Sequence, residues 1–242
     1  METLTKNRYP TQKVLSNHEY PSAYKGFLAI DKQIKQLAQC LKLDSQDALT
    51  FAKKIKQRKL PLNAEGFIAI PWWEAFAPTY SKAVQLLCSL IEQTRPFYYE
   101  KFRLKEFPEK YFCLNEYSKE ALDKIKAQQS SDILILPAQA GLQHKGESIL
   151  YARDEFLLSK DGEFGGDIIM GLTIILNHPE RISEFDELEM DFPGVEYSFD
   201  GCDTSSGVLS LSYYGNREVG FVYGHQNDPV AGFGSISGFL LK

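Results

Sequence analysis

Cysteine is scarce in this sequence, and Cys40, Cys88, Cys113 and Cys202 are scattered with no CxxC pair among them. That spacing excludes the usual structural zinc sites and a disulfide framework, and it points to a reducing, cytoplasmic home. Long hydrophobic runs are missing too. The stretch Ile168 to Leu176 is about half of what a bilayer span requires, and no apolar run follows the basic residues within Met1 to Pro10. No membrane insertion, secretory signal or transit peptide is expected. There is no internal repeat, no low-complexity tract and no Gly- or Pro-rich linker. GxSxG, HExxH, GxGxxG, P-loop and EF-hand patterns are all absent, so none of the chemistries that those spacings serve is indicated.

What is present is an ordinary globular composition, 43% hydrophobic and 24% charged, enriched in Phe and Tyr. A chain of 242 residues buries enough surface to be stable without metal or disulfide staples. The net charge of -5 conceals an asymmetry. Residues 1–130 hold 21 Lys/Arg against 14 Asp/Glu, a balance of +7, while residues 131–242 hold 6 against 18, a balance of -12. The sequence therefore divides into an N-terminal arm over 1–26, a basic helical half over 27–130 and an acidic α+β half over 131–242. The two halves are expected to fuse into one globular unit, docked by charge or offering differently charged faces to partners.

Periodicity supplies the elements. Ile30, Ile34, Leu37 and Leu41 mark one stripe of a helix, and a second helix starts at Asp44 or Ser45 and ends before Pro61. Gly66 to Ile70 reads as a strand stopped by Pro71, Thr79 to Glu92 as a buried helix, and Ser118 to Gln128 as another helix. In the acidic half, Asp132 to Leu136 reads as a buried strand stopped by Pro137, Glu147 to Leu158 as a helix, and Asp167 to Asn177 as a core helix. Gly171 within it implies close approach by another element. Gly215-Asn216 is a hairpin turn between Val208–Tyr214 and Glu218–Tyr223, and one strand, Ser235 to Leu241, closes the sheet. The fold class is α+β, with a helical N-terminal half packed on a mainly antiparallel sheet carrying two or three helices.

The densest polar constellation is the loop Pro137 to Ser148, between a buried strand and a helix, where rigid sheets commonly hold ligand groups. Gln139, His144, Lys145 and Ser148 are its candidate ligand-binding residues, with Arg153 and His178 as distant contributors. For proton transfer the candidates are His144 with Glu147, Glu155 or Glu163. The competing reading is a plain β-to-α turn in which Glu147 or Ser148 caps the helix. No metal site is expected, because no third and fourth ligand accompany His144 and Glu147 at a useful spacing. No cofactor is called for.

Two further segments carry charge. Phe97 to Phe112 interleaves seven aromatic rings with Lys101, Arg103, Lys105 and Lys110, a composition that single-stranded nucleic acid can use. Acids in and beside the same stretch weaken that field, so packing explains it better. Glu180 to Asp203 holds nine Asp/Glu among apolar residues, and is expected to pack with its charges outward, as a docking surface with an apolar patch near 182–192.

The segments Leu136 to Ser148, Ile174 to Arg181 and Ser235 to Leu240 resemble a pattern in bacterial proteins of unknown activity. The resemblance implies a bacterial source and points to the 137–148 loop. It carries no catalytic residue or ligand with it. The function expected is binding of a protein partner or a small polar ligand centred on that loop. The alternative is a metal-independent hydrolase or transferase using His144 with a carboxylate, and nucleic-acid binding ranks third because the overall charge is negative. The oligomeric state is not fixed by the sequence.

Overall fold

A computed structural model describes residues 12–99, 112–197 and 207–241. In chain order its elements are α1 (Ile30–Leu41), α2 (Gln46–Ile55), β1 (Gly66–Pro71), α3 (Tyr80–Glu92), β2 (Phe97–Tyr99), β3 (Phe112–Leu114), α4 (Glu116–Gln128) and β4 (Ile133–Gln139). Then follow α5 (Ile149–Leu158), β5 (Glu163–Gly165), α6 (Ile168–Asn177), β6 (Glu189–Asp191), β7 (Val195–Tyr197), β8 (Gly207–Gly215), β9 (Glu218–His225), β10 (Phe233–Ser235) and β11 (Ser237–Phe239).

The small sheet runs β1-β4-β11-β5, with every neighbour antiparallel. Its central strand, β4, sorts its side chains by the two-residue period of a strand. Ile133 and Ile135 face α1 and α2, joining Ile34, Leu37, Ala52 and Ile55 in one core. Leu134 and Leu136 point the other way, into a second core built from α3, α6 and the larger sheet. In that sheet β8 pairs with β9 along one edge and with β6 and β7 along the other, all antiparallel. The pairs β10–β6 and β2–β9 are parallel, so the large sheet is mixed. The α+β class is thus the observed one.

Helix α6 lies between the sheets, which is why it is apolar on nearly all sides. Gly171 is where Phe192 crosses it: a methyl group added there would lie 2.2 Å from the Phe192 ring. Asp167, Ser148, Asn115 and Thr79 cap α6, α5, α4 and α3, each accepting a first-turn N–H with its side-chain oxygen.

The structure departs from the sequence reading in specific places. The first half is less purely helical than expected, because β1, β2 and β3 pair with β4, β9 and β7 of the second half. Helix α4 starts at Glu116 under an Asn115 cap, ahead of Ser118. Strand β4 continues through Pro137, with β1 alongside and β11 reaching only Ala138 and Gln139. The closing strand is two strands, β10 in the large sheet and β11 in the small one. Ile236 between them donates its N–H to Asp191 O and accepts from Gly166 N, so one residue hands the chain from sheet to sheet. Part of the N-terminal arm docks on the 137–148 loop through Val14 N–H to Gly146 O and Ser148 N–H to Gln12 O. The aromatic and basic stretch lies largely outside the described residues, as does Cys202. Among the described residues, no helix is long and apolar enough to cross a membrane.

Candidate functional site

The predicted loop converges on a polar chain rather than a hollow. Gln139 ends β4 and is fully buried; its amide donates to Ser235 O at 2.7 Å and Ser237 Oγ at 2.9 Å, while its carbonyl accepts from Gly141 N at 2.6 Å. Gly141 itself has φ +119° and meets the Gly234 carbonyl so closely that no side chain fits, which fixes the turn leaving the strand. A short 3-10 turn over Leu142–His144 then places His144, only 7% exposed, between two carboxylates. Its Nδ1 lies 2.8 Å from Glu147 Oε2 and its Nε2 3.0 Å from Glu163 Oε1. Ser237 donates to the same Glu163 oxygen at 2.5 Å, and Lys13 Nζ from the arm reaches Glu147 at 2.7 Å.

Burial alone would push the His144 imidazole down, but its two hydrogen-bonded carboxylates outweigh that and hold it up at about 9. At neutral pH the ring is an imidazolium that donates from both nitrogens. The Glu147 carboxyl, which burial would raise, is held low by His144 and Lys13. Both ring nitrogens are therefore committed, and Phe156 closes the ring's side at 4.9 Å between centroids. His144 lines neither the hollow at the start of α5 nor those beside Trp72, Pro61 and Arg153.

The other expected residues lie elsewhere. Lys145 donates to His18 O at 3.0 Å and pairs with Glu19 at 2.6 Å, tying the arm to the loop. Ser148 caps α5 and accepts from Tyr151 N at 3.3 Å, as the turn reading requires. Arg153 clamps the β6-to-β7 connection, donating to Pro193 O and Val195 O at 2.7 Å each, with Gln226 at 3.3 Å. Glu155 is half-buried on α5 and takes no part in the His144 chain. His178, fully buried at the end of α6, accepts from Leu28 N at 3.3 Å, and burial lowers its imidazole. Buried Arg181 next to it stacks on Tyr20 at 4.2 Å and donates to Ala140 O at 2.6 Å, locking the start of the loop from the far side.

The hollow that does hold unspent polarity lies on the other side of the α5 start. Asp191, Ser210, Val208, Val222, Tyr223, Gly224, His225, Asp228, Val230, Phe233 and Ile149 enclose about 400 Å³. Asp191 ends β6 and stands opposite Ser210 of β8 in register. Only 6% exposed, it accepts one side-chain hydrogen bond among the described residues, from Ser210 Oγ to Oδ1 at 2.5 Å. Burial pushes its carboxyl up; the Ser210 bond opposes this and the Glu189 charge adds to it, leaving it at about 7. Asp191 is a correction to the outward-facing charges expected from sequence: β6 is covered on both faces, with Met190 in the core on one side and Asp191 in the hollow on the other, while Glu184 and Asp186 do face outward. Of the apolar residues near 182–192, Ile182, Leu188, Met190 and Phe192 are buried, and Phe185 alone stands out, 65% exposed among Glu184, Asp186 and Glu187.

A roomier hollow of about 500 Å³ lies between the Trp72–Trp73 turn and α4. Its polar groups are already paired: Trp72 Nε1 donates to Glu74 at 3.2 Å, and Lys119 bonds Asp123 at 2.7 Å. Among the described residues no group of three or more His, Cys, Asp or Glu side chains is placed to hold a metal ion. Sequence reasoning missed Asp191 and Ser210. The alternation Leu209, Ser210, Leu211, Ser212 beside Glu189, Met190, Asp191 was the available sign of a polar strand face. Comparison with protein-family models, with curated proteins and with solved structures returns no match.

Proposed function

We propose that this protein is a small-molecule binding protein whose ligand occupies the hollow between β6, β8, β9 and the start of α5. The observation that carries the reading is Asp191, a carboxylate more than nine-tenths buried that holds a single hydroxyl donor and lines a hollow of ligand size. With Ser210 on one oxygen, its other oxygen is left to pair with a ligand in the hollow. Apolar walls from Ile149, Val208, Val222, Val230 and Phe233 supply contact area around it.

The site is thus shifted from the 137–148 loop to its far flank. The loop's role in this reading is support: the chain Lys13, Glu147, His144, Glu163, Ser237, Gln139 fixes the turn from which α5 departs, and Ile149 at the start of α5 is one wall of the hollow. Proton transfer by His144 draws no support from this geometry, because both of its nitrogens already face carboxylates.

The test uses n-hexanol as a neutral probe of the hollow in a titration followed by amide NMR. Shifts are expected to concentrate at Ser210, Val222, Gly224 and Ile149, and Val208→Trp, which fills the hollow, is expected to abolish them. Shifts scattered over the surface, or unchanged by Val208→Trp, would remove the reading.

A further inference from the structure

The lining of the hollow selects a charge. Its ionisable groups are Asp191 from β6, His225 and Tyr223 from β9, and Asp228 just beyond β9, with no lysine or arginine among them. Glu189 on β6 adds a third carboxylate close enough to act on Asp191 electrostatically, though its own oxygens are engaged by Ser212 Oγ at 2.7 Å and Tyr213 N at 2.9 Å. An anionic ligand would enter against these charges. A cation would be drawn in and would find Asp191, a carboxyl with Ser210 on one oxygen and the other facing the hollow.

Geometry narrows the kind of cation. A divalent metal needs three or more protein ligands in one shell, which the described residues do not gather here. A guanidinium binds best to a carboxylate with both oxygens open, whereas Asp191 Oδ1 is taken by Ser210. One open oxygen suits a single, compact N–H donor. The rest of the wall, Ile149, Val208, Val222, Val230 and Phe233, suits a hydrocarbon body behind that donor.

We propose that the ligand of this hollow is a small primary amine, bound as its ammonium ion with one N–H donated to Asp191 Oδ2 and its carbon chain against the apolar wall. The inference rests on the binding reading above and adds the chemical class. Asp228, exposed beside His225 at the rim, contributes long-range attraction rather than the bond itself.

Calorimetric titration of the full chain with n-hexylamine, its isostere n-hexanol and n-hexylguanidine tests it. The amine is expected to bind one site at least about tenfold more tightly than the alcohol, with the guanidine in between. Asp191→Asn, which removes a buried charge and so is expected to fold, should erase the amine's advantage and leave the alcohol's affinity unchanged. Asp228→Asn, on the exposed rim, should cost the amine no more than about threefold. Lowering the pH from about 8 to about 6 should weaken the amine several-fold and spare the alcohol, because protons then compete for Asp191, whose carboxyl lies at about 7. Equal binding of amine and alcohol by the unaltered protein would overturn the amine class while leaving the hollow as a binding site. Loss of all amine binding in Asp228→Asn would move the ammonium to the rim and overturn the Asp191 assignment. Failure of amine and alcohol alike to bind would remove both the class and the site.

Discussion

His144 acts as a charged tie rather than a free base. It joins the 137–148 loop to β5 through Glu163, and Glu163 passes the connection to β11 through Ser237. Replacing His144 by Ala leaves two buried carboxylates without their shared cation, and is expected to cost about 3–5 kcal/mol in urea unfolding. Its pH dependence has a definite sign. The folded imidazole titrates at about 9 against an ordinary 6.5, so its contribution is complete below 6.5 and is lost as pH rises through about 9. Glu147, held low, works in the opposite window: its contribution is present above the ordinary 4.5 and is lost as pH falls below it. Asp191, raised to about 7 from 3.8, adds a penalty that grows across that interval. Stability should therefore decline between about pH 6.5 and about pH 9, and His144→Ala should flatten that decline. A steep alkaline decline that persists in the variant would place its origin elsewhere.

Helix α6 shows how an element acquires its composition. With both sheets against it, it has no solvent face on which to carry charge, and its polar residues appear at its ends and at Thr173. Gly171 is required by contact, since Phe192 occupies the space of a side chain. Gly171→Ala is accordingly expected to destabilise by about 1–3 kcal/mol, the cost of overpacking, even though Ala is the better helix former. A Phe192→Leu partner change that restores part of the loss would confirm the contact as the cause. Most of this was legible in the sequence: the apolar run pointed to a core helix and Gly171 to a close neighbour. The packing of both sheets against the helix, which a local window does not contain, is what buries nearly every face.

The molecule as a whole is woven rather than divided at the change of charge near residue 130. Strands from the basic half pair with strands of the acidic half in both sheets, and Ile236 passes the chain between those sheets. Unfolding one half would break the ladders of the other. A single cooperative transition is therefore expected, with Trp fluorescence, reporting Trp72 and Trp73 at the end of β1, coinciding with far-UV circular dichroism in urea. Two separated transitions would show that the charge boundary is also a folding boundary.

The candidate site was only partly written in the sequence. Local signals placed Gln139, His144, Glu147 and Ser148 on one strand-to-helix turn, because strand pattern, glycine and cap lie within a dozen residues of each other. They did not show that Glu163 and Ser237 would seal that turn, nor that Asp191 and Ser210 would stand across a ladder. By itself the sequence determined the periodic helices, the β8–β9 hairpin and the α+β class, which arise from interactions among near neighbours, although the hairpin's turn falls on Asn216 and Arg217, one residue beyond the Gly215-Asn216 expected. Tertiary structure alone decided which polar groups are spent and which line a hollow. Strand register sets the face each side chain takes, and register is fixed by pairing between segments far apart in sequence, as where Phe97 stands opposite Val219.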